Sequence, residues 1–275
     1  MTPRIGSLFS GYGGLDLAVE AELEATVAWH CEYDDGPSKI LAHHWPKIPN
    51  YGDITLMDWK AVEHVEILTG GYPCQPFSRV GKRAGVDDVR HLWPYVWEAI
   101  RCLRPQVAIL ENVAGHRSLG FDRVLGDLAE VGYDARWTSV RASDVGAFHH
   151  RERVFIVAYP KGIRRQERHS AMHPGDDLAP AQWVRSPARS LGGLLRRWGT
   201  VVGREHPEPL RTGVFTGNAA NPRFWEWAMG LTEGHISDVP DLTHWQKIKA
   251  AGNGVVPQQA RAALRLLNVR ELVAS

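Results

Sequence analysis

The sequence predicts an α/β protein in which short apolar strands alternate with helices, with one additional basic module. Three observations carry this. Arg4-Ile5-Gly6-Ser7-Leu8-Phe9 reads as a strand, followed by the glycine-rich run Ser10-Gly11-Tyr12-Gly13-Gly14 and a helical pattern from Leu15 to Ala21. Apolar runs then recur at Thr26–Cys31, before Ile54, at Val65–Leu68 and at Val107–Leu110, with helical segments between most of them. From residue 160 to about 221 this rhythm stops, and Gly, Pro, Arg and Ser dominate.

The first unit, strand then glycine turn then helix, lets the backbone approach a ligand closely at a helix N-terminus. Tight packing is the alternative reason for such glycines. The spacing is neither a dinucleotide fingerprint nor a phosphate loop, so a ligand here is not held mainly by phosphates. The second strand ends at Glu32-Tyr33-Asp34. An acid at that position accepts from ribose hydroxyls, and Tyr33 can stack on a base; a surface acid and a half-buried ring are the plain alternatives. Ser38 is expected to cap a helix that runs to His44-Trp45 and stops at Pro46. A third strand is expected to end at Gly52-Asp53-Ile54. There Asp53 is either an acceptor for an adenine amino group or an ordinary turn residue.

The fourth strand delivers Gly70-Gly71-Tyr72-Pro73-Cys74-Gln75-Pro76-Phe77-Ser78. Two glycines permit a tight turn, and two prolines stiffen the backbone around a single cysteine. Cys74 therefore sits just past a strand's carboxyl end, where open α/β sheets bind ligands. The Ser78–Arg90 stretch, with Gly81, Gly85, Arg79, Lys82 and Arg83, reads as a phosphate-facing lid or as a plain surface loop. A helix is expected from His91 to Leu103. The strand Val107–Leu110 then brings Glu111-Asn112-Val113 to the same sheet edge. A carboxyl directly after an apolar strand sits where burial can raise its pKa, which would let it donate a proton at neutral pH.

Phe121–Val131 reads as a helix, and Tyr133–Val140 with Val154–Tyr159 as a strand pair. Between the strands lies His149-His150-Arg151-Glu152-Arg153. Arg151 and Arg153 share one face of a strand, for a ligand or for an inward acid. The two histidines lack a third ligand at suitable spacing, so no metal site is expected. Ser190–Trp198 holds a short helix, Pro222–Met229 a helix with an early proline, Ile248–Pro257 a strand or turn, and Gln258–Val269 a final amphipathic helix.

The 275 residues suit one large domain, or one domain with a smaller module. Hydrophobic content of 44% and charged content of 23% are ordinary for a globular chain. Cys31, Cys74 and Cys102 are too few for a disulfide framework. No signal-like start and no membrane-length apolar run is visible, so a cytoplasmic, membrane-free location is expected. Net charge is +1, but Lys161–Arg223 holds 11 Lys+Arg against 5 Asp+Glu. A basic segment on a mildly acidic body points to a polyanion, or to a solvated Arg-rich insertion.

Together these stretches resemble the DNA (cytosine-5) methyltransferases, in that family's order. Phe9-Ser10-Gly11-Tyr12-Gly13-Gly14-Leu15 is similar to its cofactor motif, and Gly71-Tyr72-Pro73-Cys74-Gln75-Pro76-Phe77-Ser78 to its catalytic loop. Glu111-Asn112-Val113 resembles its acidic motif, and Arg151-Glu152-Arg153-Val154-Phe155-Ile156-Val157 its two-arginine motif. Gly252-Asn253-Gly254-Val255-Val256-Pro257-Gln258 resembles its last motif. The resemblance implies a mostly parallel, seven-stranded, doubly wound sheet of the class I methyltransferase type with a small target-recognition domain. On that basis 1–159 is the catalytic and cofactor domain, 160–221 the basic recognition domain and 222–275 a segment returning to the first. It implies a monomer acting on double-stranded DNA with S-adenosyl-L-methionine, leaving S-adenosyl-L-homocysteine.

The resemblance also implies roles. Cys74 adds to carbon 6 of a flipped cytosine, and Glu111 engages N3 and the exocyclic amine. Arg153 meets O2, and Arg151 orients Cys74 or a phosphate. The cofactor lies against Phe9, Gly11, Gly13, Gly14, Leu15, Glu32, Tyr33, Asp53, Ile54, Gly71, Pro73, Asn253 and Val255. DNA meets Ser78, Arg79, Lys82, Arg83, Arg196 and Arg197. Two departures stand out. Phe148-His149 replaces the usual Pro-Gln before the arginine motif, and Arg90-His91-Leu92-Trp93 replaces an Arg-Gly-Leu-Phe-like run. An RNA substrate, a bulkier cytosine modification and a non-catalytic DNA-binding module remain as other readings.

Overall fold

A computed structural model describes residues 2–73, 92–118, 120–162, 190–210 and 220–273. Six strands form one mixed sheet: β1 (Arg4–Leu8), β2 (Thr26–Cys31), β3 (Ile67–Gly70), β4 (Val107–Val113), β5 (Tyr133–Arg141) and β6 (Glu152–Pro160), in the order β2-β1-β3-β4-β6-β5. β2, β1, β3 and β4 run parallel, while β6 is antiparallel to both β4 and β5.

Alternation along the strands divides the core in two. Ile5, Ile67, Val107, Ile109, Phe155 and Val157 face one side, with α1 (Gly14–Leu23) and the C-terminal helices. Leu8, Leu68, Ala108, Leu110, Val154 and Ile156 face the other, with α3 (Trp93–Leu103) and α4 (Phe121–Glu130). Both faces are covered, as the doubly wound expectation requires.

The strand count is six among the described residues, not seven. Where a third strand was expected before Ile54, the chain makes a single parallel bridge between Asn50 and His30. His30 N–H donates to Pro49 O, and Tyr51 N–H donates to His30 O, both at 2.9 Å. Proline has no N–H with which to extend the ladder. Asp53 then caps a short helical turn, Ile54–Leu56.

Two other local expectations need correction. α2 (Asp35–His44) starts at Asp34, whose carboxylate accepts from Gly36 N–H; Ser38, the expected cap, instead donates to the Glu32 carbonyl at 3.0 Å. The expected strand or turn at 248–257 is mostly helix, α7 (His244–Asn253), which follows α5 (Leu191–Val202) and α6 (Pro222–Ala228). A reciprocal cap between Thr243 and Gln246 starts α7. α8 (Pro257–Leu266) and the short α9 (Arg270–Val273) follow.

Of the basic stretch 160–221, residues 163–189 and 211–219 lie outside the described residues. α5 packs onto the main body: Trp198 is fully buried, and its indole N–H donates to Trp227 O at 2.9 Å. Among the described residues no helix is long and apolar enough to cross a membrane.

Candidate active site

Sheet register assembles the site. Leu8 pairs with Gly70, and Gly70 with Leu110. The next residue on each chain, Phe9, Gly71 and Glu111, therefore stands at the same carboxyl edge. All three line one cavity there, together with Gly11, Gly14, Leu15, Glu32, Pro73, Asn253 and Val255. Ser7, Asp16, Asp34, Thr69 and Lys249 complete its polar wall.

The glycine turn is shaped by positive backbone angles. Phe9 has φ of 52°, Gly11 57° and Gly13 82°; the first is uncommon for a residue with a side chain. Glu32 locks this turn to the end of β2. Its two carboxylate oxygens accept from Gly11 N–H and Asp34 N–H, each at 2.8 Å. Burial holds its pKa above the usual carboxylate value. The far wall comes from the end of the sequence. Tyr12 donates to Val255 O at 2.7 Å, and a Cβ on Gly254 would lie 1.8 Å from the Tyr12 ring. Asp34 and Lys249 form an ion pair between the β2–α2 loop and α7.

Glu111 is part of β4, not beyond it, because β6 continues pairing as far as Val113. Its Oε1 lies 2.8 Å from Arg153 Nε. Burial raises the Glu111 pKa against the opposing pull of Arg153 and Arg151. Gly71 is close by: a Cβ there would sit 3.3 Å from Glu111 Oε2. Asn112 donates to the Tyr72 carbonyl at 3.1 Å, holding the start of the cysteine loop to β4. Arg151 has φ of 28° and donates through Nη2 to Gly254 O at 2.6 Å. Burial and the nearby Arg153 charge lower its pKa.

The Phe148-His149 departure has a physical explanation. Phe148 stacks on Trp227, with centroids 5.7 Å apart and planes 19° apart, and His149 Nε2 sits 2.9 Å from Ala228 O. Aromatic packing against α6 thus holds the turn before the arginines.

Gly13 does not line the cavity but packs on Trp45. Tyr33 is 80% exposed and also stands outside the lining. Asp53 accepts from Thr55, and Ile54 is buried in the core. Arg196 is exposed on α5, with Arg197 half-buried beside it. Cys74, Ser78, Arg79, Lys82 and Arg83 lie outside the described residues, which resume at Leu92; Pro73, immediately before Cys74, lines the cavity. Sequence reasoning missed Asp16, Asp34 and Lys249, since a single charge in or beside a helix carries no distinctive local pattern. Among the described residues no group of three His, Cys, Asp or Glu side chains is placed to hold a metal.

A glycine turn, an acid closing the second strand and a carboxyl at the edge of parallel strands define an α/β methyltransferase fold. Solved structures agree. A Spodoptera frugiperda DNMT2 variant superposes with a TM-score of 0.69 over 100% of both chains at 14% identity. A putative DNA modification methyltransferase encoded within an E. coli prophage gives 0.66 over 100% of both chains at 19% identity. Residues 3–182 match the model of the C-5 cytosine-specific DNA methylases, and the chain belongs to that family. The type II methyltransferase M.HpaII of Haemophilus parainfluenzae is 36% identical over 163 residues, which are 56% of this chain and 45% of that protein. M1.ScrFI of Lactococcus lactis subsp. cremoris is 33% identical over 159 residues, 56% of this chain and 41% of that protein. The matched region thus spans less than half the length of these two relatives.

Proposed function

We propose that this chain is a DNA (cytosine-5) methyltransferase, acting on a flipped cytosine in double-stranded DNA with S-adenosylmethionine as donor. The carrying observation is the Glu111–Arg153 pair, which stands beside Gly71 where the Gly-Tyr-Pro-Cys run begins. A cavity bounded by the glycine turn, Glu32 and Asn253 fits an adenosyl group: its carboxylate sits at the end of β2, and its backbone comes close at the helix N-terminus.

Carbon 5 of cytosine is a poor nucleophile while the ring is aromatic. Addition of the Cys74 thiolate to carbon 6 breaks the aromaticity and makes carbon 5 enamine-like. Glu111, held up in pKa by burial, carries a proton to N3 and accepts from the exocyclic amine, which also selects cytosine over thymine. Arg153 donates to O2 and keeps the Glu111 carboxyl aimed. Bound S-adenosylmethionine supplies an electrophilic methyl group on a cationic sulfur. Once carbon 5 carries the methyl group, water removes its proton, Cys74 leaves and the ring regains aromaticity. The target atom is hidden in a duplex, so the base is turned out of the stack at a cost of a few kcal/mol. The basic segment 160–221 supplies phosphate contacts, Arg196 and Arg197 among them.

A duplex containing 5-fluorocytosine tests this, because fluorine in place of the departing proton traps the covalent adduct. The adduct should form with S-adenosylmethionine present and vanish in Cys74→Ala. An adduct on tRNA with none on any DNA would move the substrate to RNA.

A further inference from the structure

Five titratable side chains line the cavity among the described residues: Asp16, Glu32, Asp34, Glu111 and Lys249. Two of the acids have cationic partners, Asp34 with Lys249 and Glu111 with Arg153. Glu32 has both oxygens on backbone N–H groups. Asp16 has neither. It is 1% exposed, and among the described residues its carboxyl accepts only hydroxyl hydrogens, from Ser7 Oγ and from Thr69 Oγ1, each at 2.6 Å. His30 Nδ1 is 3.9 Å away, but burial pushes that imidazole down to about 4, so it is neutral at physiological pH.

A buried carboxyl facing a cavity without a counter-ion is costly to ionise unless the occupant brings a positive charge. We propose that Asp16 is a specificity-determining residue of the cavity, whose carboxylate is completed by the cationic sulfur of the donor and thereby favours donor over the neutral thioether product. The inference rests on the cofactor reading above. Donor and product share the same adenosyl, ammonium and carboxylate groups, so a residue that senses the sulfur's charge separates them.

Among the described residues, the groups around Asp16 are Ser7 on β1, Thr69 on β3, His30 on β2 and Glu20 on its own helix, with Ser10 bonded to Ser7 behind them. None is a cation near neutral pH. Burial lifts the Asp16 carboxyl to about 7, so a cation beside it drives a proton off. Binding the donor near pH 7 therefore releases a fraction of a proton, and binding the thioether releases less.

Isothermal titration of the full chain with S-adenosylmethionine and with S-adenosylhomocysteine, in buffers of different ionisation enthalpy, reads both effects without turnover. The donor should release more protons than the thioether from the unaltered protein. Asp16→Asn should abolish that difference, and should weaken donor binding about tenfold while changing thioether binding less than about threefold. The proton measurement needs no variant, so a poorly folding Asp16→Asn would not prevent the test. Equal proton release for both ligands, or equal weakening of both, would overturn the role of Asp16 and leave the cofactor reading intact. A folded, unaltered chain that binds neither ligand would overturn both.

Discussion

Arg153 and Glu111 meet diagonally across the β4–β6 pair: the guanidinium Nε lies 2.8 Å from the carboxylate, although Arg153 pairs in register with Val113. An antiparallel partner thus carries a cation to the carboxyl edge of otherwise parallel strands. Glu111→Gln keeps the shape and removes the transferable proton. Single-turnover methyl transfer should fall about 10²–10⁴-fold. Arg153→Ala instead leaves a buried carboxyl without its partner, and urea denaturation should show a loss of about 3 kcal/mol. Unaltered turnover in the first variant would remove Glu111 from the chemistry.

Asp16 also sets a pH dependence of stability. Its carboxyl is raised by burial from 3.8 to about 7. Between those values the folded chain holds a proton that the unfolded chain has lost, so this group destabilises the fold as pH rises through the window. His30 and His235 act oppositely: burial lowers both to about 4, so stability rises with pH from there towards 6.5. Asp16→Asn removes only the first contribution. The stability of the variant relative to the unaltered protein should therefore increase steadily from pH 4.5 to 7.5 in urea denaturation. A pH-independent difference would mean that Asp16 titrates normally.

The close approach of Gly254 to the Tyr12 ring leaves no room for a side chain. Gly254→Ala introduces a Cβ at 1.8 Å from that ring and should cost about 1–3 kcal/mol. Tyr12 also holds Val255 of the cavity wall, so donor affinity should fall in the same variant. Thermal melting and equilibrium binding check the two effects separately, and unchanged values for both would show that the two segments can move apart freely.

For DNA, the double substitution Arg196→Ala and Arg197→Ala should weaken binding equally across duplex sequences. It should reduce the magnitude of the slope of log K against log salt concentration by about 1.8, the loss of two phosphate contacts. An unchanged slope would place α5 away from the backbone.

Much of the frame was legible because burial leaves a period. β1, β2, β4, α1 and α4 fall close to where apolar spacing puts them. The cavity lining at Phe9, Glu32, Gly71 and Glu111 was legible for a different reason, since these motif residues stand at strand ends and topology gathers those ends, while Asn253 was legible from its motif alone and comes from the end of α7. The absent third strand was hidden by local apolar content, which does not reveal that Pro49 forbids a second rung. α7 was misread because Gly252 and Gly254 look like turn residues, whereas the Thr243–Gln246 cap that starts the helix lies upstream. Asp16 was invisible because its partners, Ser7 and Thr69, stand 9 and 53 residues away. The packing of Phe148 on Trp227 likewise depends on two segments that only the folded chain brings together.

The hydrogen bond from Tyr12 to Val255 spans 243 positions of sequence. Contacts of such separation slow folding, because the entropy of closing the intervening chain is lost before they form. The far wall of the cavity therefore exists only once translation has passed Val255, long after β1 to β4 have been made. Chains abandoned before that point would carry the Glu111–Asn112–Val113 segment beside an open cavity, without the far wall that Asn253 and Val255 supply.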